Sequence, residues 1–146
     1  SPDITAIKLS VPDIINSTFN LRNTTSTVET ALTSGKSVVL FTSRKRFDGQ
    51  DNPAISRTVS QTLVDIVRSI KARPSFLIAK GGITSSDIAT GALGVKQAQV
   101  LGQILPGVPV WTIGNETLHP GLAYIIFPGN VGGDDALTQA YQKLTS

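Results

Sequence analysis

Two consecutive glycines followed by hydroxyl residues, Gly81-Gly82-Ile83-Thr84-Ser85, offer this chain its best place to hold a ligand. Without Cβ atoms the glycines let the backbone approach a bound group, and a helix opening there presents free N–H donors and a partial positive charge. Thr84 and Ser85 add hydroxyls, so the stretch can cradle a phosphate. It can equally be a strand-to-helix turn in which Thr84 and Asp87 cap the helix, and the two readings are compatible. Pro128-Gly129-Asn130-Val131-Gly132-Gly133 has the same design, with Asp134 placed as the N-cap of a following helix. Asp134 and Asp135 read as partners of the helix dipole, not as metal ligands. A third turn, Leu105-Pro106-Gly107-Val108-Pro109, is rigid and short of donors; it is a tight turn that can also wall a base or sugar.

Other stretches imitate chemistry without its context. Gly35-Lys36-Ser37 resembles the end of a Walker A loop, but position 30 is Thr and the stretch precedes a strand. Arg44-Lys45-Arg46 reads as a solvated loop that could still touch a phosphate at a rim. His119 sits in a turn and is read as structural, and Trp111, in a strand, as core. Asn16, Asn23 and Asn115 head glycosylation-type triplets that mean little without a secretory signal. No nucleophile–base pair and no carboxylate dyad emerges, and Asp51 and Asp87 have no catalytic company. No catalytic residue and no metal ligand is therefore assigned.

The elements that must position these turns follow from hydrophobic spacing. Residues 3–11 alternate as a strand, residues 16–27 read as loop, and Ser26 with Glu29 has capping-box spacing before a short helix ended by Gly35. Residues 37–42 and 75–79 are short apolar runs of the kind buried in parallel sheets. Between them Asn52-Pro53 opens a helix whose stripe is Ile55, Val59, Leu63, Ile66, Val67 and Ile70, which predicts a right-handed βαβ unit. A helix closed by Gly94, three strand-like segments (96–105, 108–113 and 123–127) and a last helix from about 134 to 144 complete the chain. The expected fold is α/β: a parallel-core sheet with helices on both faces and an antiparallel-looking C-terminal extension.

Composition sets the bounds. The 146 residues suit one ordinary domain, and 40% hydrophobic content argues against disorder. A net charge of +3, from 13 Lys+Arg and 10 Asp+Glu, is too mild to point to nucleic acid or a membrane surface. The absence of cysteine excludes disulfides, thiolate metal sites and cysteine catalysis, and one histidine excludes a histidine cluster. No apolar run is long enough to span a membrane and no signal-peptide pattern opens the chain, so a cytoplasmic location is expected. A chain without methionine at position 1 is expected to be part of something longer.

Three ordered motifs carry a resemblance: Lys80-Gly-Gly-Ile-Thr-Ser85, Gly102-Gln-Ile-Leu-Pro-Gly-Val-Pro109 and Phe127-Pro-Gly-Asn-Val-Gly132. In order and spacing they resemble the C-terminal nucleotide-binding domain of the four-carbon acid sugar kinases, ATP-dependent enzymes that phosphorylate 3-oxo-tetronates and related sugar acids. The likeness runs from about residue 35 to 144, and residues 79–87 with His119-Pro-Gly121 look most like the eukaryotic version, fused to dehydrogenase-like and aldolase-like domains. It implies that ATP, with Mg2+ bridging its phosphates, lies against this domain. Pro106, Gly107, Val108 and Pro109 would meet the nucleotide, Gly129, Asn130 and Gly132 the phosphates, and Gly81, Gly82, Thr84 and Ser85 the neighbouring edge. The sugar acid and the catalytic base would belong to an N-terminal domain outside this chain, which leaves the chain inactive alone and a homodimer open. Family members carry a Lys-Ser-Gly type sequence entering the last glycine turn; Phe127-Pro128-Gly129 lacks that cation and hydroxyl. The family's Gly-Ser segment near the start of the domain has no match, so a first strand is expected to be missing. The alternative is a degenerate, non-catalytic module packed inside such a fusion protein.

Overall fold

The computed structural model describes residues 4–42, 53–80, 82–127 and 136–145, with the backbone alone of Gly82 and Ile83. The chain divides into two compact units, Ser1–Arg73 and Pro74–Ser146.

In the first unit, β1 (Ile4–Leu9) and β2 (Ser37–Thr42) pair in parallel, from Ile4↔Ser37 to Leu9↔Thr42. Helices α1 (Val11–Ile15), α2 (Leu21–Thr33) and α3 (Pro53–Ser69) accompany them. Their core is Leu9, Ile14, Val28, Ile66 and Ile70, with Ile7, Val38 and Leu40 packed against it. The expected loop over 16–27 is instead largely helix. Asn20 caps α2 by accepting from the Asn23 N–H at 2.9 Å. Of the hydroxyls that weaken helices by competing for backbone groups, Thr27 Oγ1 donates back to the Asn23 carbonyl at 3.0 Å, whereas Thr25 Oγ1 is buried without a partner. Ser26 and Glu29 therefore lie inside the helix and form no capping box. Gly35 ends α2 as expected. At φ +81° it permits a Schellman closure in which the Lys36 N–H donates to Ala31 and the Gly35 N–H to Leu32.

In the second unit, β3 (Phe76–Lys80), β4 (Ala98–Leu105), β5 (Val108–Ile113) and β6 (Ala123–Phe127) form a sheet of order β3-β6-β5-β4. β3 and β6 are parallel, while β6, β5 and β4 are successively antiparallel. Helix α4 (Gly82–Asp87) continues as a π-helical turn, Ile88–Ala92, and α5 (Ala136–Thr145) is last. The two helices cover opposite faces. Ile125 and Phe127 pack with Ala136 and Ala140 of α5, whereas Tyr124, pointing the other way on the alternating strand, reaches Ser85 of α4.

The result is the expected α/β mixture of parallel pairing, helices and an antiparallel extension. One connection differs. β2 and β3 do not form a βαβ unit around α3, because β2 pairs with β1 and β3 with β6. An apolar run announces that a strand will be buried but does not name its partner; register against Ile7 and Leu9 in one case, and Ile125 and Phe127 in the other, decides that.

Candidate functional site

The carboxyl end of β3 and β6 is where the site is built. The parallel register pairs Lys80 with Phe127, so these two strands end side by side, one residue before each glycine-rich stretch. β5 runs against β6 with Val110 opposite Ile125, and continuing that register places Val108 beside Phe127. Their side chains share one buried cluster, as the register requires. The β4–β5 hairpin therefore turns at the same end of the sheet. The ends of β3 and β6, which lead into two of the motifs, and the hairpin of the third thus lie at one edge of the sheet. Ligands collect at that edge in open α/β sheets.

The hairpin turn is tight. Leu105 pairs with Val108, leaving Pro106 and Gly107 as the loop. Gly107 has φ +80°, a conformation that proline before it and glycine itself suit. The Gln103 side chain accepts from the Gly107 N–H at 3.3 Å. Such a turn fits the right-handed strand twist poorly, and β4 shows register shifts at Val100/Gly102 and Gln103/Leu105. Pro106 and Gly107 are exposed and Pro109 is half-buried. Val108, at 0% exposure, belongs to the core and supports the turn from beneath.

At the other turn, Gly82 is the first residue of α4 and Thr84 is half-buried within that helix. Neither Thr84 nor Asp87 stands before α4 as a cap, and Asp87 makes no side-chain capping bond to the π-helical turn. Ser85 is 2% exposed; its hydroxyl donates to the Ala79 carbonyl at 3.1 Å, and its own carbonyl accepts from the Tyr124 hydroxyl. Burial pushes the Tyr124 phenol well above its usual range, so it remains a donor. Ser85 and Tyr124 thus fasten α4 to the strands whose ends carry the turns. Tyr124 escaped notice in the sequence, where it was one apolar residue in a strand. Lys80 is a cation closing an apolar strand just before a glycine pair. Its ammonium stands 5.9 Å from the centroid of the Phe127 ring.

Gly81, Gly129, Asn130 and Gly132 lie outside the described residues, as do Arg44 to Arg46, Asp51, Asp134 and Asp135. Among the described residues no group of three His, Asp or Glu could hold a metal ion, and no helix is long and apolar enough to cross a membrane. His119 is buried, and Trp111 leans on Tyr124 at 6.3 Å between ring centroids. A hollow of about 330 Å3 lies in the first unit, lined by Thr5, Ser26, Thr27, Thr30, Ser34 and Lys36. Thr27 and Ser34 donate there to carbonyls of α2.

The fold and this edge define an α/β domain whose parallel strands end beside a Pro-Gly hairpin, the edge at which open α/β sheets bind ligands. Residues 2–137 match the model of the nucleotide-binding C-terminal domain, and the chain belongs to that family, the domain to which its three motifs pointed. No curated protein matches the chain. Among solved structures it is similar to a domain of unknown function (DUF1537) from Bordetella bronchiseptica, crystallised with bound citrate as a domain-swapped dimer. That likeness has a TM-score of 0.71 at 20% identity and covers 98% of this chain and 35% of the other. A Haemophilus influenzae protein of the same DUF1537 family model gives a TM-score of 0.73 at 18% identity, over 95% of this chain and 34% of the other. The chain thus spans about a third of the length of the structures it matches.

Proposed function

We propose that this chain is the ATP-binding part of a four-carbon acid sugar kinase, with the nucleotide held where β3, β6 and the β4–β5 hairpin end together. The meeting of the β3 and β6 ends with the β4–β5 hairpin at one sheet edge supports this reading. The exposed Pro106-Gly107 turn would lie against the base or ribose, Gly129 to Gly132 would approach the phosphates, and Gly81, Gly82 and Thr84 would complete the edge. Ser85 would act from below by holding α4 to Ala79. Mg2+, when bound with the nucleotide, neutralises phosphate charge. Phosphate oxygens of the nucleotide and water would supply most of its ligands. The acid sugar and the base that activates its hydroxyl are assigned to a further domain, and the domain-swapped neighbour makes a homodimer part of the proposal.

Calorimetric titration with ATP–Mg tests this. Binding in roughly the micromolar-to-millimolar range is expected, weakened in Gly82→Val and Gly129→Val. Equal heats for all three proteins would overturn the site. A second reading, a structural module without nucleotide, draws support from Phe127, whose side chain is 1% exposed and devoted to the core. It predicts no heat even when the chain is joined to the domain that precedes it in a kinase.

A further inference from the structure

We infer that Lys80 is the cation that contacts the nucleotide's phosphoryl oxygens, an assignment that rests on the nucleotide reading above. On the α5-facing side of β3, Phe76 and Ile78 pack into the core, and alternation puts residue 80 next in that row. An apolar residue is expected there, and a lysine stands instead. Its place is the last residue of the strand, so the apolar row ends in a charge where the sheet meets solvent.

The register then gives that charge a seat. Phe127, opposite Lys80, is too buried to reach a ligand, but its ring face lies 5.9 Å from the ammonium. A ring quadrupole attracts a cation and orients it without cancelling its charge, which a carboxylate would do. Among the described residues the recorded ion pair is Arg68 with Asp65, and none involves Lys80. An ammonium held on an aromatic ring is a compact point charge with three donors, suited to a multi-oxygen anion such as a di- or triphosphate. It stands between the two strand ends that lead into the glycine stretches, where a phosphate chain would cross from one to the other.

The test is a calorimetric comparison of the 146-residue chain with Lys80→Gln and Lys80→Arg. The ligands are ATP–Mg, inorganic tripolyphosphate and adenosine. Lys80→Gln is expected to weaken ATP and tripolyphosphate about tenfold, with a flatter salt dependence, and to leave adenosine within about threefold. Lys80→Arg, which keeps the charge, should recover most of the loss. If wild type binds ATP and Lys80→Gln binds it equally well, the assignment fails while the nucleotide site stands. A parallel loss of ATP and adenosine would mark Lys80 as structural and overturn the assignment too. No ATP binding by wild type would bring down the nucleotide reading, and Lys80 with it.

Discussion

Each unit uses one glutamate to fasten a connecting segment, and the two fastenings differ in what they secure. In the first unit Glu29, midway along α2, accepts from the successive N–H groups of Lys71 and Ala72, beyond the end of α3. In the second, Glu116 accepts from Lys96 at 2.9 Å and Gln97 at 3.1 Å, just before β4 begins. Backbone donors that leave a helix without a strand to enter need acceptors, and a carboxylate with several lone pairs serves two at once. Glu29 joins two helices around a two-stranded sheet whose outward face leaves Val39 and Phe41 about 40% exposed. Glu116 steadies the entry to a hairpin that ends at the candidate site. Similar local chemistry thus supports a packing unit in one half and the hairpin beside the candidate site in the other.

Core truncation should sharpen the contrast most. Ile125 and Ile66 are both 0% exposed, one in each unit. Ile125→Ala and Ile66→Ala should each destabilise by about 2–5 kcal/mol. Trp111, the single tryptophan, lies in the second unit, so its fluorescence in urea should register Ile125→Ala directly. Tyr124→Phe comes next: it removes the phenol's hydrogen bond to the buried Ser85 carbonyl and should lose about 1 kcal/mol in the same urea titration. Were the loss near zero, α4 would not be held as described.

Glu29→Ala leaves two backbone N–H groups seeking partners and should lower stability by about 1–2 kcal/mol in thermal unfolding, without touching nucleotide affinity. Reduced nucleotide affinity in that variant would break the division of labour between the units. Glu116 supplies the smallest effect and a pH signature. The N–H of Lys96, the backbone at Glu116 itself and the N–H of Gln97 hold its carboxyl below the usual 4.5. Its contribution is therefore present above the unfolded-state value and fades as pH falls through the folded one. Wild type and Glu116→Gln should differ at neutral pH and converge in acid; a gap that widens in acid would reverse the sign. Gly114→Ala should mimic the loss, since a Cβ there would meet Glu116 Oε1 at 2.2 Å.

Much of the second unit was legible in the sequence. The apolar runs became β3 and β6, the Pro-Gly pair became a hairpin turn, and Gly35 and Gly94 closed helices at positive φ. The first unit was harder, because the Asn/Thr/Ser stretch before Val28 has little apolar periodicity. What favours the helix there is a cap at Asn20 and the Thr27 hydroxyl turned back on its own helix. Within the site, the exposed Pro106-Gly107 loop followed from its residues, whereas the core duty of Val108 and Ser85 did not, since neither burial nor a distant carbonyl is written in local spacing.

By itself, then, the sequence determined most of the strands, the long helix before β3 and the three turns that carry glycines, though not the helix that begins at Leu21. Those are local properties, set by side-chain period and backbone freedom. The tertiary structure alone decided that β2 pairs with β1, that β3 lies beside β6, and that Lys80 meets Phe127 where these strands end. Register between distant strands depends on how their side chains interlock when packed, and no neighbour in the sequence carries that information.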